Sequence, residues 1–206
     1  MIIVARGGFH GGQDALLRSM FEARKKVFVD LLKWDVPVLD GRFEVDQFDD
    51  EQATYVIVGS ADGRHLGSAR LLATTRPHIL GDLYPQLCAG PVPRGPDVFE
   101  ITRFCLGHGQ GAARRRETRN RLVSALAQVA FLRGIRTYTG VAEIRWLQQT
   151  LAFGWDCRPL GPPRAVAGCL LGGLRISIAA DTPSLLERNG IWVPQALDAA
   201  QLAEAA

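Results

Sequence analysis

Long apolar runs, cysteine, histidine and lysine are all scarce in this sequence of 206 residues. No apolar stretch approaches the roughly 20 residues that a membrane-crossing helix needs. The opening MIIVARGG has no basic segment ahead of a long apolar one, so neither a membrane span nor a signal peptide is expected and the chain reads as cytoplasmic. Four cysteines, Cys88, Cys105, Cys157 and Cys169, are widely separated, with no CxxC pair and no histidine at metal-ligand spacing. This argues against a disulfide framework and a zinc site; no metal is expected, and the thiols read as reduced and mostly buried. His10, His65, His78 and His108 fall in loops or at a strand edge and read as surface residues, not bases. GxSxG, HExxH and GxxxxGK[ST] are absent, which removes a nucleophile elbow, a zincin and a P-loop. Carboxylates and arginines are left to carry the chemistry.

Lys25, Lys26 and Lys33 are the only lysines among 24 basic residues. Arginine dominates, and Arg114, Arg115, Arg116, Arg119 and Arg121 cluster. Its planar fork suits phosphates and carboxylates, although a solvated helix end explains such a cluster equally well. A net charge of +3 is too small, and the aromatics too poorly interleaved with the cluster, for a nucleic-acid-binding module. The hydrophobic share of 47% and charged share of 22% are ordinary for a globular protein. The length suits one domain over residues 1–206, with the alanine-rich residues 195–206 expected to fray.

Along the chain, Met1 to Val4 opens with a short strand or ordered terminus, and a loop follows to Gly12. From Gln13 to Leu32, Leu16, Leu17, Met20, Phe21, Val27, Phe28 and Leu31 recur at helical spacing. Arg24 falls inside that stripe, where an aliphatic residue belongs. An unpaired buried guanidinium costs several kcal/mol, so Arg24 must meet an acid or an anionic ligand, or else reach solvent. Asp35 to Phe43 reads as a loop and a candidate lid, followed by Glu44, Asp46 and Asp49. Tyr55 to Val58 and Leu66 to Ala73 read as an antiparallel hairpin, with Arg70 on a mostly apolar face. Thr74 to Asp97, rich in proline, is loop with at most a helical turn at Leu80 to Leu87.

Val98 to Leu106 is the strongest strand. Alternation puts Glu100 and Arg103 on opposite faces, so a bulge between them is needed if both are to meet one cleft. A glycine loop, Gly107 to Ala113, leads into a helix at about Arg114 to Leu132; backbone N–H groups there suit phosphate. Further strands are expected at Arg136 to Val141, Trp155 to Arg158 and Leu170 to Ile178, and helices at Ala142 to Phe153 and Thr182 to Arg188.

In order and spacing, Arg24-xxx-Phe28-xxxxx-Trp34, Glu44-x-Asp46-xx-Asp49, Arg70-Leu71, Glu100-xx-Arg103-Phe104 and Phe153-Gly154-Trp155 resemble the signature of the LuxI-type acyl-homoserine-lactone synthases. These are the autoinducer synthases of quorum sensing, and the likeness covers roughly residues 20 to 160. The resemblance implies an α/β fold related to the GNAT acyltransferases, a mixed twisted sheet flanked by helices with a splayed central strand pair. It also implies a reaction between S-adenosylmethionine and an acyl thioester of acyl carrier protein or coenzyme A. S-adenosylmethionine is then a consumed substrate, and no cofactor is implied.

On this reading Glu100 is the base, with Arg103 and Arg70 beside it; pairing of Glu100 with either arginine is the structural alternative. Arg24, Phe28, Trp34, Asp46 and Asp49 would bind S-adenosylmethionine, with Arg24 and Arg103 on its carboxylate, the aromatics on its sulfonium or adenine, and the acids on its amine or ribose. Arg70 can instead tie Asp46 or Asp49 into a structural network. Phe104 and Thr139 would line the acyl pocket, and Arg114, Arg115, Arg116 and Arg119 would dock the carrier protein or coenzyme A phosphates. A GNAT enzyme acylating another amine shares the fold but has no need of Trp34, Asp46 and Asp49 together.

Overall fold

The computed structural model describes residues 1–9 and 15–197. Its strands are β1 Ile2–Arg6, β2 Val38–Leu39, β3 Phe43–Glu44, β4 Thr54–Gly59, β5 His65–Ala73, β6 Val98–Leu106, β7 Thr137–Glu143, β8 Asp156–Pro159, β9 Arg164–Val166 and β10 Cys169–Ser177. The helices are α1 Ala15–Arg24, α2 Ile79–Asp82, α3 Ala112–Arg133, α4 Ile144–Leu151 and α5 Thr182–Arg188, with a π-helix at Lys25–Leu31 and a 3₁₀ turn at Pro85–Leu87. One mixed sheet runs β1-β4-β5-β6-β7-β10-β8, with β9 paired to β10, and β2 and β3 form a separate ribbon. All pairs are antiparallel except β6 with β7.

Both faces of the sheet are covered, so β4 reads as a continuous apolar run instead of alternating with polar residues. Val56 and Val58 pack with Leu122 and Leu126 of α3. Tyr55 and Ile57 point the other way, onto Leu16, Met20 and Phe21 of α1. Gly154 sets the entry to β8: its φ is 97°, and a Cβ there would fall 2.9 Å from Leu185 O. Only glycine meets both demands, and its neighbour Trp155 donates its indole N–H to Thr150 O at 3.0 Å.

Two departures from regularity create the cleft. β6 and β7 pair only from Val98↔Thr137 to Glu100↔Thr139. Beyond that point β6 follows β5 and β7 follows β10, so the sheet opens into a V whose vertex is Glu100 and Thr139. The second departure is in β6 itself. Between Arg70↔Thr102 and Ser68↔Cys105, two steps of β5 face three of β6, and Arg103 adopts a left-handed φ of 50°. This is the bulge that the positions of Glu100 and Arg103 demand.

Several sequence expectations need correction. The helical stripe stops at Phe28: the π-helix, with its wider turn, leaves Leu31 59% exposed. The segment 35–43 is partly ordered as the β2–β3 ribbon, β7 runs on to Glu143 before α4 begins, and β9 went unforeseen. Of the cysteines only Cys105 is buried, while Cys169 is exposed. His78 is fully buried and not a surface residue, while His65 is half-buried, and burial pushes its ring down to about 3. His10 lies outside the described residues. So do residues 198–206 of the tail expected to fray, but Gln195 is held, its N–H donating to Gln128 Oε1 at 2.9 Å.

Candidate active site

Arg24 ends α1 fully buried and finds two acids. Its Nε donates to Glu44 Oε2 at 2.6 Å, and Nη1 and Nη2 form a fork with both oxygens of Asp49 at 2.8 Å. Arg70, reaching from β5, makes a matching fork with Asp46 at 2.6 and 3.0 Å, touches Asp49 Oδ1 at 2.7 Å and donates Nε to Thr102 Oγ1 at 2.9 Å. Arg103, turned inward by the bulge, donates Nε to Glu44 at 3.0 Å and Nη2 to Asp46 at 2.6 Å. Three guanidinium ions therefore meet three carboxylates in a charge-balanced network joining α1, the 43–49 segment, β5 and β6. Tyr55 completes it by donating to Asp49 Oδ1 at 2.8 Å. Burial works to raise the Asp49 carboxyl, but the charges of Arg24 and Arg70 outweigh it and hold Asp49 far below the usual range.

This geometry redistributes the expected roles. All three nitrogens of Arg24 and of Arg70 are taken by protein groups, and both oxygens of Asp46 and of Asp49 accept hydrogen bonds. Where direct contacts had been expected between Arg24 and a substrate carboxylate, and between the two acids and an amine or ribose, every one of these nitrogens and oxygens already has a partner within the protein. The alternative foreseen for Arg70, a tie to Asp46 or Asp49, is what the structure holds. Arg103 differs: among the described residues its Nη1 carries no hydrogen bond, and it lies over the rings of Phe28 and Trp34, 5.7 and 6.0 Å from their centroids.

Phe28 and Trp34 stack, with centroids 4.6 Å apart and planes at 15°. The π-helix makes that possible by looping the chain back so that Trp34 N donates to Phe28 O at 2.8 Å. Phe28 is buried against Val27 and Cys105, whereas Trp34 is half-buried. The indole N–H donates to Glu143 Oε1 at 2.9 Å.

At the vertex of the V, Glu100 is fully buried. Its Oε1 accepts the backbone N–H of Leu80 at 2.9 Å, and Oε2 has no partner. The pairings with Arg70 or Arg103 weighed from the sequence do not form: neither shares a hydrogen bond with Glu100. Burial pushes the Glu100 carboxyl up to about 7, against the backbone hydrogen bonds from Leu80 and Ile79. Thr139, its register partner on β7, is also fully buried, and its Oγ1 has no partner. Phe104 sits apart on β6, 4.9 Å from Trp146 of α4. Arg114, Arg115 and Arg116 are exposed at the start of α3, but Arg119 is drawn back over the Phe153 ring at 5.2 Å.

Glu44, Tyr55, Thr102 and Glu143 belong to this neighbourhood without having been expected as site residues. Glu44 stands in the signature spacing and was within reach of sequence reasoning. Tyr55 and Thr102 look like ordinary strand residues, and Glu143 lies 109 positions from its partner. Among the described residues, no group of three or more His, Cys, Asp or Glu side chains is arranged to hold a metal, and no helix is long and apolar enough to cross a membrane.

A mixed sheet that splays at a parallel central pair, flanked by helices and carrying a buried carboxyl at the vertex, defines a GNAT-like acyltransferase fold. A solved structure described as an N-acetyltransferase of Lactobacillus plantarum shares that fold with a TM-score of 0.58 at 15% identity, covering 87% of this chain and 98% of its own. The autoinducer synthase family model matches residues 11–150. An acyl-homoserine-lactone synthase of Ralstonia nicotianae is 35% identical over 194 residues, 89% of this chain and 94% of the relative. A solved coenzyme A-dependent acyl-homoserine lactone synthase, BjaI, holding SAM and isopentyl-CoA, superposes with a TM-score of 0.79 at 26% identity, covering 100% of this chain and 98% of its own. The chain belongs to the autoinducer synthase family, and it is an acyltransferase of the acyl-homoserine-lactone synthase kind.

Proposed function

We propose that the enzyme joins S-adenosylmethionine to an acyl thioester, forming an amide and then a lactone, with release of methylthioadenosine. The observation that carries this reading is Glu100: a buried carboxyl poised near 7, with one bare oxygen, at the point where the sheet opens. An α-amine has a pKa of about 7.7 to 8.0, so a base titrating near neutrality is matched to its proton. Glu100 takes that proton, directly or through a water, as the amine attacks the thioester carbonyl and the thiol leaves. The carboxylate of the amide product then attacks its own γ-carbon, the C–S bond breaks, and methylthioadenosine departs as the lactone closes. S-adenosylmethionine is consumed in this scheme, which calls for no cofactor and no metal.

The roles follow from which groups the network leaves available. Arg103, through Nη1, binds the substrate carboxylate. Trp34, with Phe28 stacked behind it, presents an aromatic face to the sulfonium, a contact worth about 0.5 to 2 kcal/mol. Arg24, Arg70, Asp46 and Asp49 act one step back, fixing Arg103. The acyl chain enters the V past Phe104 and Thr139. Relatives bound to MTA, or to SAM with isopentyl-CoA, support both substrate classes. The exposed arginines at the start of α3 would dock the donor, an acidic acyl carrier protein or coenzyme A, both cytoplasmic compounds. Incubating the protein with S-adenosylmethionine and a panel of carrier-protein and coenzyme A thioesters should release methylthioadenosine and an acyl-homoserine lactone with at least one donor. No release with any donor overturns the reading.

A further inference from the structure

The Trp34–Glu143 hydrogen bond joins the two sides of the V. Trp34 stands on the β6 side, packed on Phe28 and Cys105, while Glu143 ends β7 on the other side. Glu143 occupies the N-cap of α4, where a side-chain oxygen ordinarily serves the helix's own N–H groups. It makes no such cap and instead reaches outward to accept the indole N–H at 2.9 Å. An indole has a single donor, so this bond selects one orientation of the ring about its Phe28 stack. A carboxylate at the ring edge also adds negative charge beside the face that a cation would approach.

We propose that Glu143 is a positioning residue for the S-adenosylmethionine site, holding the Trp34 ring across the cleft so that its face meets the sulfonium. The proposal rests on the reading of Trp34 given above. It assigns to the β7–α4 corner, which makes no other part of the arginine–carboxylate network, a share in the affinity for this substrate.

The test compares Glu143→Ala, Glu143→Gln, Trp34→Phe, Trp34→Ala and the Glu143→Ala/Trp34→Phe pair, after thermal unfolding has shown each to be folded. Two quantities are read: the dissociation constant for S-adenosylmethionine by calorimetry, and the Trp34 indole N–H resonance. Losing a charge-assisted hydrogen bond at a half-buried site should weaken binding about tenfold in Glu143→Ala. Glu143→Gln keeps an acceptor and should stay within about threefold of wild type. Trp34→Phe keeps the ring but lacks the donor, so adding Glu143→Ala to it should cost almost nothing more. The indole resonance should shift in Glu143→Ala and stay near its place in Glu143→Gln. Equal losses from Glu143→Ala in both backgrounds, or an unmoved indole resonance, overturn the proposal. If Trp34→Ala alone leaves affinity unchanged, the reading of Trp34 as the ligand face falls first, and the proposal with it.

Discussion

Glu100 shows how one residue can be costly to the fold and suited to the reaction proposed for it. Its carboxyl titrates near 7 in the folded chain, against 4.5 as its ordinary value, chiefly because burial disfavours the charged form. The sign follows from linkage: below pH 4.5 both states hold the proton and nothing is lost, and as pH rises towards 7 the unfolded state alone releases it, so folded stability falls. Above pH 7 the full cost is in place, roughly 3 kcal/mol for a shift of this size. Glu100→Gln removes the ionisation while keeping an acceptor for Leu80 N. It should therefore raise the melting temperature at pH 8 and leave it nearly unchanged at pH 4.5. Turnover should fall by about 10²-fold or more, as loss of a general base does, with little change in S-adenosylmethionine affinity. A variant no more stable than wild type at pH 8 contradicts the burial account; one with full turnover removes Glu100 from the chemistry.

Among the elements, the arginine–carboxylate network fastens α1, the 43–49 segment, β5 and β6 into one unit, and Asp49 is its most connected member. Asp49 is held far below its ordinary pKa of 3.8 once Arg24 and Arg70 have outweighed burial. Its contribution is present above that value and is lost as pH falls from there towards the depressed pKa of the folded state. Asp49→Asn leaves Arg24 and Arg70 short of a counter-charge in a dry site, and should cost about 3 to 5 kcal/mol in urea unfolding at pH 7. Tyr55→Phe, which removes only a neutral donor to the same carboxylate, should cost about 1 kcal/mol. Equal effects would mean that charge balance is not what holds these elements together. Part of this was legible beforehand: Arg24 interrupts an apolar stripe, and the β6 pattern demands a bulge if Glu100 and Arg103 are to share a cleft. The π-helix was not, because the apolar residues still recur at α-helical spacing through Leu31 and only the wider turn in the structure carries Leu31 off the buried face. Nor was the engagement of every Arg24 and Arg70 nitrogen within the protein, since spacing shows which charges are near one another but not how many hydrogen bonds each already makes.

For the whole molecule, β6 from Val98 to Leu106 and α5 from Thr182 to Arg188 stand at the boundaries read from the sequence. The order of strands in the sheet did not follow from periodicity, because the sole parallel pair among the described residues, β6 with β7, joins segments separated by the whole of α3; the resemblance implied only a mixed sheet with a splayed central pair. On the proposed reading the substrates reach the vertex by two approaches, S-adenosylmethionine past Trp34 and Arg103 and the acyl donor along the β6–β7 opening. Arg114, Arg115 and Arg116 stand exposed at the start of α3, where their charge opposes the helix dipole. Exposed cations of this kind steer an acidic partner from solution and act mainly on encounter. If the donor is an acyl carrier protein, raising salt from about 50 to about 300 mM should raise its KM roughly tenfold, since the Debye length falls well below 10 Å. Arg114→Glu with Arg116→Glu should do the same at low salt and flatten the salt dependence. The KM for S-adenosylmethionine, bound at the other approach, should hold constant under both changes. A carrier-protein KM indifferent to salt and to both substitutions would move donor docking away from α3, and a parallel rise in the KM for S-adenosylmethionine would show that the two approaches are not separate.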